Sequence, residues 1–200
     1  ALINSLKMLF RLYKETKKDT SYLTYVNRIY QELTSNLDNL NFIESKTLSD
    51  LHNIINFIIS YFKKNDNDMV LAYSHGDFHP GNIICNDDNF WIMDWEHSGE
   101  KSLSYDLIIM LLGARIESGY SKRLLDIANN KVTDDKKRFI NKWPYLNWNE
   151  FKIRKDYLLI FILEDLLFYL EEYNNMAFYK NPSCLNLRCK EITQFISNFK

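Results

Sequence analysis

Tyr73-Ser-His75-Gly76-Asp77-Phe78-His79-Pro80-Gly81-Asn82-Ile-Ile-Cys85-Asn86-Asp87-Asp88-Asn89-Phe90-Trp-Ile-Met-Asp94 decides how the rest of the chain is read. A short apolar run, Met69–Tyr73, leads in and reads as a buried strand. It gives way to a polar loop containing Gly76, Pro80 and Gly81, in which the carboxylate of Asp77 and the carboxamide of Asn82 stand five residues apart. Two further apolar runs, Ile83–Cys85 and Phe90–Met93, flank Asn86-Asp87-Asp88-Asn89. Four turn-forming residues between two β-rich runs predict a hairpin.

With residues 86–89 as the turn, Cys85 faces Phe90, Ile84 faces Trp91 and Ile83 faces Ile92. Asn82 and Asp94 are then expected side by side at the open end. Cross-strand Cβ atoms lie about 5 Å apart, so one hard cation could be held by both side-chain oxygens. An amide oxygen and a carboxylate, completed by waters and substrate phosphates, suit Mg²⁺. Asp77, just before the ribbon, reaches the same space without being a ligand. An unligated carboxylate beside such a cation is the layout of phosphoryl transfer, where one group orients and deprotonates a hydroxyl while the metal neutralises phosphate charge. Singly, Asp and Asn are ordinary turn residues. Asn82 directly before a strand and Asp94 directly after one are not needed for a turn.

The pattern His75-Gly-Asp77-x-x-x-x-Asn82, followed twelve residues later by Asp94 in Ile-Met-Asp-Trp-Glu, resembles the aminoglycoside phosphotransferase/choline kinase family, which has the protein-kinase-like fold. The resemblance implies that Asp77 is the catalytic base, that Asn82 and Asp94 hold Mg²⁺, and that ATP is the phosphate donor. His75 is similar to the histidine that braces the catalytic loop, although by itself it reads as a hydrogen-bonded structural residue. Asp106, in Ser104-Tyr105-Asp106-Leu107, resembles the acid that anchors this loop from the next helix. It also reads as structural, since an acid at a helix start suits the positive end of the dipole.

The remaining chain is mainly helical. Leu2, Leu6, Leu9, Phe10 and Tyr13 recur at helical spacing within residues 1–18. Further helices are expected over 22–36, 48–64, 105–117, 121–130, 134–142, 149–173 and 184–198, with loops over 37–46 and 96–103. His52 lies beside the stripe of the third helix and reads as an ordinary half-exposed residue. The expected fold is thus α+β, mainly α-helical, with a small catalytic β-hairpin. Nothing before residue 69 reads as a five-stranded sheet, and the first residue is not methionine. The resemblance therefore implies that residues 1–200 form one C-terminal lobe, whose N-terminal nucleotide lobe belongs to the same polypeptide but lies outside this chain. A natural single-lobe protein is the alternative.

Net charge is −1, with charges interspersed, which argues against nucleic acid as a partner. The most apolar run, Tyr157–Leu163, is broken by Glu164 and Asp165, too short for a membrane span. Three cysteines, Cys85, Cys184 and Cys189, lack metal-ligand spacing and suit a reduced, cytoplasmic protein. Cys85, within a strand, is expected to be buried.

The expected partner is a small hydroxyl-bearing molecule. The 149–173 helix sets Tyr157, Phe161, Glu164, Phe168 and Glu171 on one side, flanked by Asp165 and Glu172. Acids mixed with aromatic rings would suit a cationic acceptor, which makes Glu164 and Phe168 candidate substrate residues. The plainer expectation is a solvent-facing acidic stripe. Trp143 and Trp148 read equally as pocket walls or core. Glu96, after Asp94-Trp95, matches the Asp-aromatic-Glu of choline-kinase-like members and leans toward a small-molecule acceptor. Two other classes compete with a kinase. A dinuclear phosphoesterase could draw on His75, Asp77, His79, Asn82 and Asp94, but such sites need several histidines from separate loops, and only His52 and His97 remain. A catalytically silent pseudokinase or binding module would keep the fold without the chemistry.

Overall fold

Leu6, Leu9 and Tyr13 recur every three or four residues, and α1 (Leu2–Thr16) buries all three on one face. The computed structural model describes residues 2–38, 43–86, 89–113, 119–174 and 182–198. Among them helices dominate and the strands form two small sheets, an α+β architecture. No described helix is long and apolar enough to cross a membrane. The chain gathers into two compact units, Ala1–Thr20 with Met69–Arg115 and Ile127–Tyr157, and Ser21–Asp68 with Ile116–Asp126 and Leu158–Lys200.

The first unit holds α1, a three-stranded sheet, the hairpin, α4 and α6. Strand β2 (Asp68–Ser74) is central, between β1 (Lys18–Ser21) and β5 (Gly99–Ser102). The β2–β5 pair is antiparallel and sets Leu71 opposite Ser102 and Ser74 opposite Gly99. Met69, Leu71, Ala72 and Ser74 are buried while Tyr73 is exposed. The second sheet is the hairpin, β3 (Ile83–Asn86) and β4 (Asn89–Ile92), with the expected register: Ile83 opposite Ile92, Ile84 opposite Trp91 and Cys85 opposite Phe90. Helix α4 (Tyr105–Leu112) buries all eight residues: Leu107–Leu112 leave no polar face for solvent, and Asp106 is buried with hydrogen-bond partners. Trp143 and Trp148 are both core. The Trp143 indole N–H donates to the Leu103 carbonyl at 2.9 Å, and its ring meets Phe10 edge-on. A short helix, α6 (Asp134–Ile140), completes this group.

The second unit is helical. In α2 (Tyr22–Asp38) the buried stripe is Tyr22, Tyr25, Val26, Ile29, Leu33 and Leu37; in α3 (Ser45–Phe62) it includes Leu51, Ile54, Ile55, Ile58, Ile59 and Phe62. Most of α5 (Tyr120–Ala128), the greater part of α7 (Phe151–Asn174) and α8 (Pro182–Ser197) complete it. Cys189 on α8 is an inert thiol, pushed up to about 12 chiefly by burial.

Several expectations are corrected. The first helix stops at Thr16, and Lys18–Ser21 is an edge strand whose Lys18 pairs with Glu100. Within the expected 96–103 loop, residues 99–102 pair with β2; Gly-Glu-Lys-Ser has little strand preference, so the tertiary partner decides. Of the expected 37–46 loop, Leu37 and Asp38 belong to α2, and Ser45 and Lys46 to α3; residues 39–42 lie outside the described residues. Helix α4 ends at Leu112, where Gly113 adopts φ +79°; residues 114–117 of the expected helix lie outside the described residues. Cys85 is exposed rather than buried, because β3 turns most of its side chains outward. Glu164 and Asp165 are not a solvent-facing stripe: both are buried, at 3% and 1% exposure.

Candidate active site

Strand β2 ends at Ser74, and the chain turns sharply through His75 and Gly76. Gly76 has φ +88°, and a Cβ there would stand 2.0 Å from the His97 carbonyl oxygen. Only glycine fits on both counts. The turn is held from behind by Asp106, in the first turn of α4. Its carboxylate accepts the His75 N–H at 2.8 Å, the Gly76 N–H at 2.9 Å and the Tyr13 hydroxyl at 2.7 Å. Burial raises the Asp106 carboxyl above the ordinary range, while these three bonds to the charged form pull it down. The Tyr13 hydroxyl is raised well above the phenol range by burial and the adjacent Asp106 charge.

His75 is fully buried. Its Nε2 lies 2.7 Å from the Met93 carbonyl and its Nδ1 accepts the Asp77 N–H at 3.2 Å. The proton therefore sits on Nε2, which donates. The ring packs edge-on against Trp95 with centroids 4.5 Å apart. His75 thus ties the end of β2 to the residue before Asp94.

Asp77, with 18% of its side chain exposed, follows. A single 3₁₀ turn, Pro80–Asn82, then carries the chain into β3. The Asn82 amide nitrogen donates to the Asp77 main-chain carbonyl at 2.9 Å and to Asp77 Oδ2 at 3.2 Å. With that nitrogen committed, the amide oxygen is the atom Asn82 can offer to a cation. The Met93 N–H donates to the Asn82 carbonyl at 2.8 Å, so Asn82 faces Met93 and Asp94 is one residue further along. The two are diagonal rather than directly opposite. Asp94 is exposed and adopts φ +65°, a left-handed conformation that Asp tolerates better than most residues. Amide oxygen plus carboxylate is a hard-oxygen donor pair that fits Mg²⁺. No group of three or more His, Cys, Asp or Glu among the described residues is arranged to hold a metal.

His79 caps the 3₁₀ turn. Its Nδ1 accepts the Gly81 N–H at 3.0 Å, and its Nε2 is 3.4 Å from Asp77 Oδ2. Glu96 is at the surface, 69% exposed and 3.2 Å from His97. Glu164 and Phe168 belong to the second unit. There Glu164 accepts the Tyr25 hydroxyl at 2.6 Å and Phe168 is half-buried beside Tyr169. Sequence reasoning missed Tyr13, which reads as one more apolar position of α1 and whose partner is ninety-three residues away. It also missed the His79 cap; the signal for it was Gly81 two residues on.

Comparison with curated proteins finds no match. A solved structure of glucosamine kinase (crystal form B) is similar at 11% identity with a TM-score of 0.48, over 94% of this chain and 50% of its own. Glucosamine kinase in complex with glucosamine, ADP and inorganic phosphate is similar at 12% identity with a TM-score of 0.33, over 92% and 45%. The chain thus spans about half the length of these solved structures. Residues 3–197 match the family described as choline/ethanolamine kinase, and with nearly all of its length so matched the chain belongs to that family.

Proposed function

We propose that this chain is the catalytic, C-terminal lobe of an ATP-dependent phosphotransferase that acts on a hydroxyl of a small molecule. One observation carries the reading: the Asp77 carboxylate is bonded to the side chain of Asn82 at the mouth of the ribbon that leads to Asp94. Asp77 orients the acceptor hydroxyl and takes its proton; Asn82 and Asp94 are the Mg²⁺ ligands. Mg²⁺ and ATP, when bound, supply the transferable phosphoryl group and the neutralisation of its charge. The residues themselves provide positioning. Asp106 and Tyr13 hold the loop, and His75 ties the loop to the main chain at Met93 beside Asp94. The remaining contacts to the nucleotide are assigned to an N-terminal lobe of the same polypeptide, outside this chain. Three cysteines, none of them in a disulfide among the described residues, suit a reducing, cytoplasmic setting.

The test compares Asp77→Asn with Asp94→Ala in a protein that carries both lobes. Asp77→Asn is expected to lower turnover on the order of 10²–10⁴-fold with nucleotide affinity kept. Asp94→Ala is expected to remove the Mg²⁺-dependent part of nucleotide binding. Loss of nucleotide binding in the Asp77 variant would contradict the base assignment.

A further inference from the structure

His79 is the one polar side chain of the catalytic loop that the roles above leave without a function. A histidine 3.4 Å from a carboxylate invites the reading of a base or proton relay. The hydrogen bonds exclude it. Nδ1 already accepts the Gly81 N–H at 3.0 Å, so in the neutral ring the proton is on Nε2, the nitrogen that faces Asp77 Oδ2. Neither ring nitrogen can take a further proton without giving up the Gly81 bond. His79 is a donor toward Asp77. The same Oδ2 receives the Asn82 amide at 3.2 Å, so one carboxylate oxygen has the Asn82 hydrogen bond on it and the His79 ring 3.4 Å away.

The other side of the ring is equally constrained. A Cβ on Gly81 would lie 2.7 Å from His79 Cε1 and 2.9 Å from Nδ1. Gly81 lacks a left-handed φ, so the ring, not the backbone angle, requires glycine there. The His79 carbonyl accepts the Asn82 N–H at 3.0 Å, which closes the turn onto the same residue.

We infer that His79 is a positioning residue: seated on Gly81, it ties the Asp77 carboxylate to the 3₁₀ turn that presents Asn82. The inference rests on the reading of Asp77 as the base that orients the acceptor. It assigns the His-Pro-Gly-Asn run one purpose, which is to hold the base and the amide ligand in fixed relation. At 3.4 Å the Nε2 contact is longer than a strong hydrogen bond, as catalytic contacts often are before substrate tightens them.

Three measurements test it. On the chain as it stands, ¹⁵N NMR of the His79 ring in its neutral form is expected to show the Nε2–H tautomer; the peak is assigned by its loss in His79→Gln. An Nδ1–H tautomer would overturn the inference. Thermal unfolding of Gly81→Ala, His79→Ala and the double variant is expected to be non-additive. Gly81→Ala lowers Tm by at least about 2 °C with His79 present and is neutral or stabilising without it, since the methyl then meets no ring. Additive effects would overturn the seating. In the two-lobed protein, ADP release from Mg-ATP is expected to fall roughly 10²-fold in His79→Phe, with nucleotide KM unchanged, and to be largely restored in His79→Gln. A fully active His79→Phe would overturn the positioning role. Absence of Asp77-dependent turnover in the wild type would instead sink the phosphotransferase reading, while the tautomer and Tm results still decide the seating.

Discussion

Asp106 has no solvent and three donors: two main-chain N–H groups from the catalytic turn and one phenol from α1. A buried carboxylate without partners would cost several kcal/mol or stay protonated, so each donor is structurally significant. Tyr13→Phe keeps the ring and removes one donor. It is expected to lower the free energy of unfolding by about 1.5–3 kcal/mol, as for a bond to a charged group, measured by urea titration. Asp106→Asn is expected to cost more, because its NH₂ must face one of the two buried main-chain N–H groups. That Asn82 precedes a strand and Asp94 follows one was readable from the chain, since polar residues flanking strands without a turn to make are unusual; the places of His75 and Asp106 came only from the family resemblance. Tyr13 was not readable. A phenol on an apolar face gives no sign of whether its hydroxyl meets water or a carboxylate ninety-three residues away.

Among the elements, the hairpin was legible down to its register because turn-forming residues stand between two β-rich runs. Strands β1 and β5 were not. Lys-Asp-Thr-Ser and Gly-Glu-Lys-Ser have no apolar face, and they extend only because β2 offers unpaired main-chain groups beside them. Helix ends depended on local glycine geometry. Gly113 at φ +79° has no atom within 4 Å of where a Cβ would stand, whereas Gly76 at φ +88° has the His97 carbonyl oxygen at 2.0 Å. The two sites separate conformational cost from steric cost. Gly113→Ala is expected to destabilise by about 1–2 kcal/mol, the left-handed penalty alone. Gly76→Ala adds a main-chain collision and is expected to abolish the native turn. Denaturant midpoints for the first, and the loss of nucleotide binding together with native signals around His75 for the second, check this pair.

At the scale of the molecule, Glu164 and Asp165 of α7 were misjudged, while Glu171 is exposed as expected, because sequence spacing locates a face without saying what covers it. Glu164 and Asp165 are paired with phenols inside the second unit: Tyr25 donates to Glu164 at 2.6 Å and Tyr120 to Asp165 at 3.0 Å, with Arg188 stacked on Tyr120. Tyr13 and Asp106 repeat the arrangement in the first unit. In all three tyrosines burial comes first, and the adjacent carboxylate second, in raising the hydroxyl well above its ordinary range. That is expected to set an alkaline limit on stability. A phenol with a raised native pKa stabilises the fold fully below about pH 10, where the unfolded chain is also protonated. Above that the unfolded state releases protons that the native state retains, and stability falls by about 1.4 kcal/mol per pH unit for each such group. With Tyr13, Tyr25 and Tyr120 acting together, the expected slope is roughly 4 kcal/mol per unit above about pH 10, until the native phenols themselves ionise. Urea unfolding at stepped pH, with tyrosinate absorbance followed in parallel, checks it: these three phenols are expected to titrate only as the chain unfolds. Replacing all three by Phe is expected to flatten the slope, although each replacement lowers stability at neutral pH. A steep slope that survives the triple replacement would place the alkaline limit elsewhere.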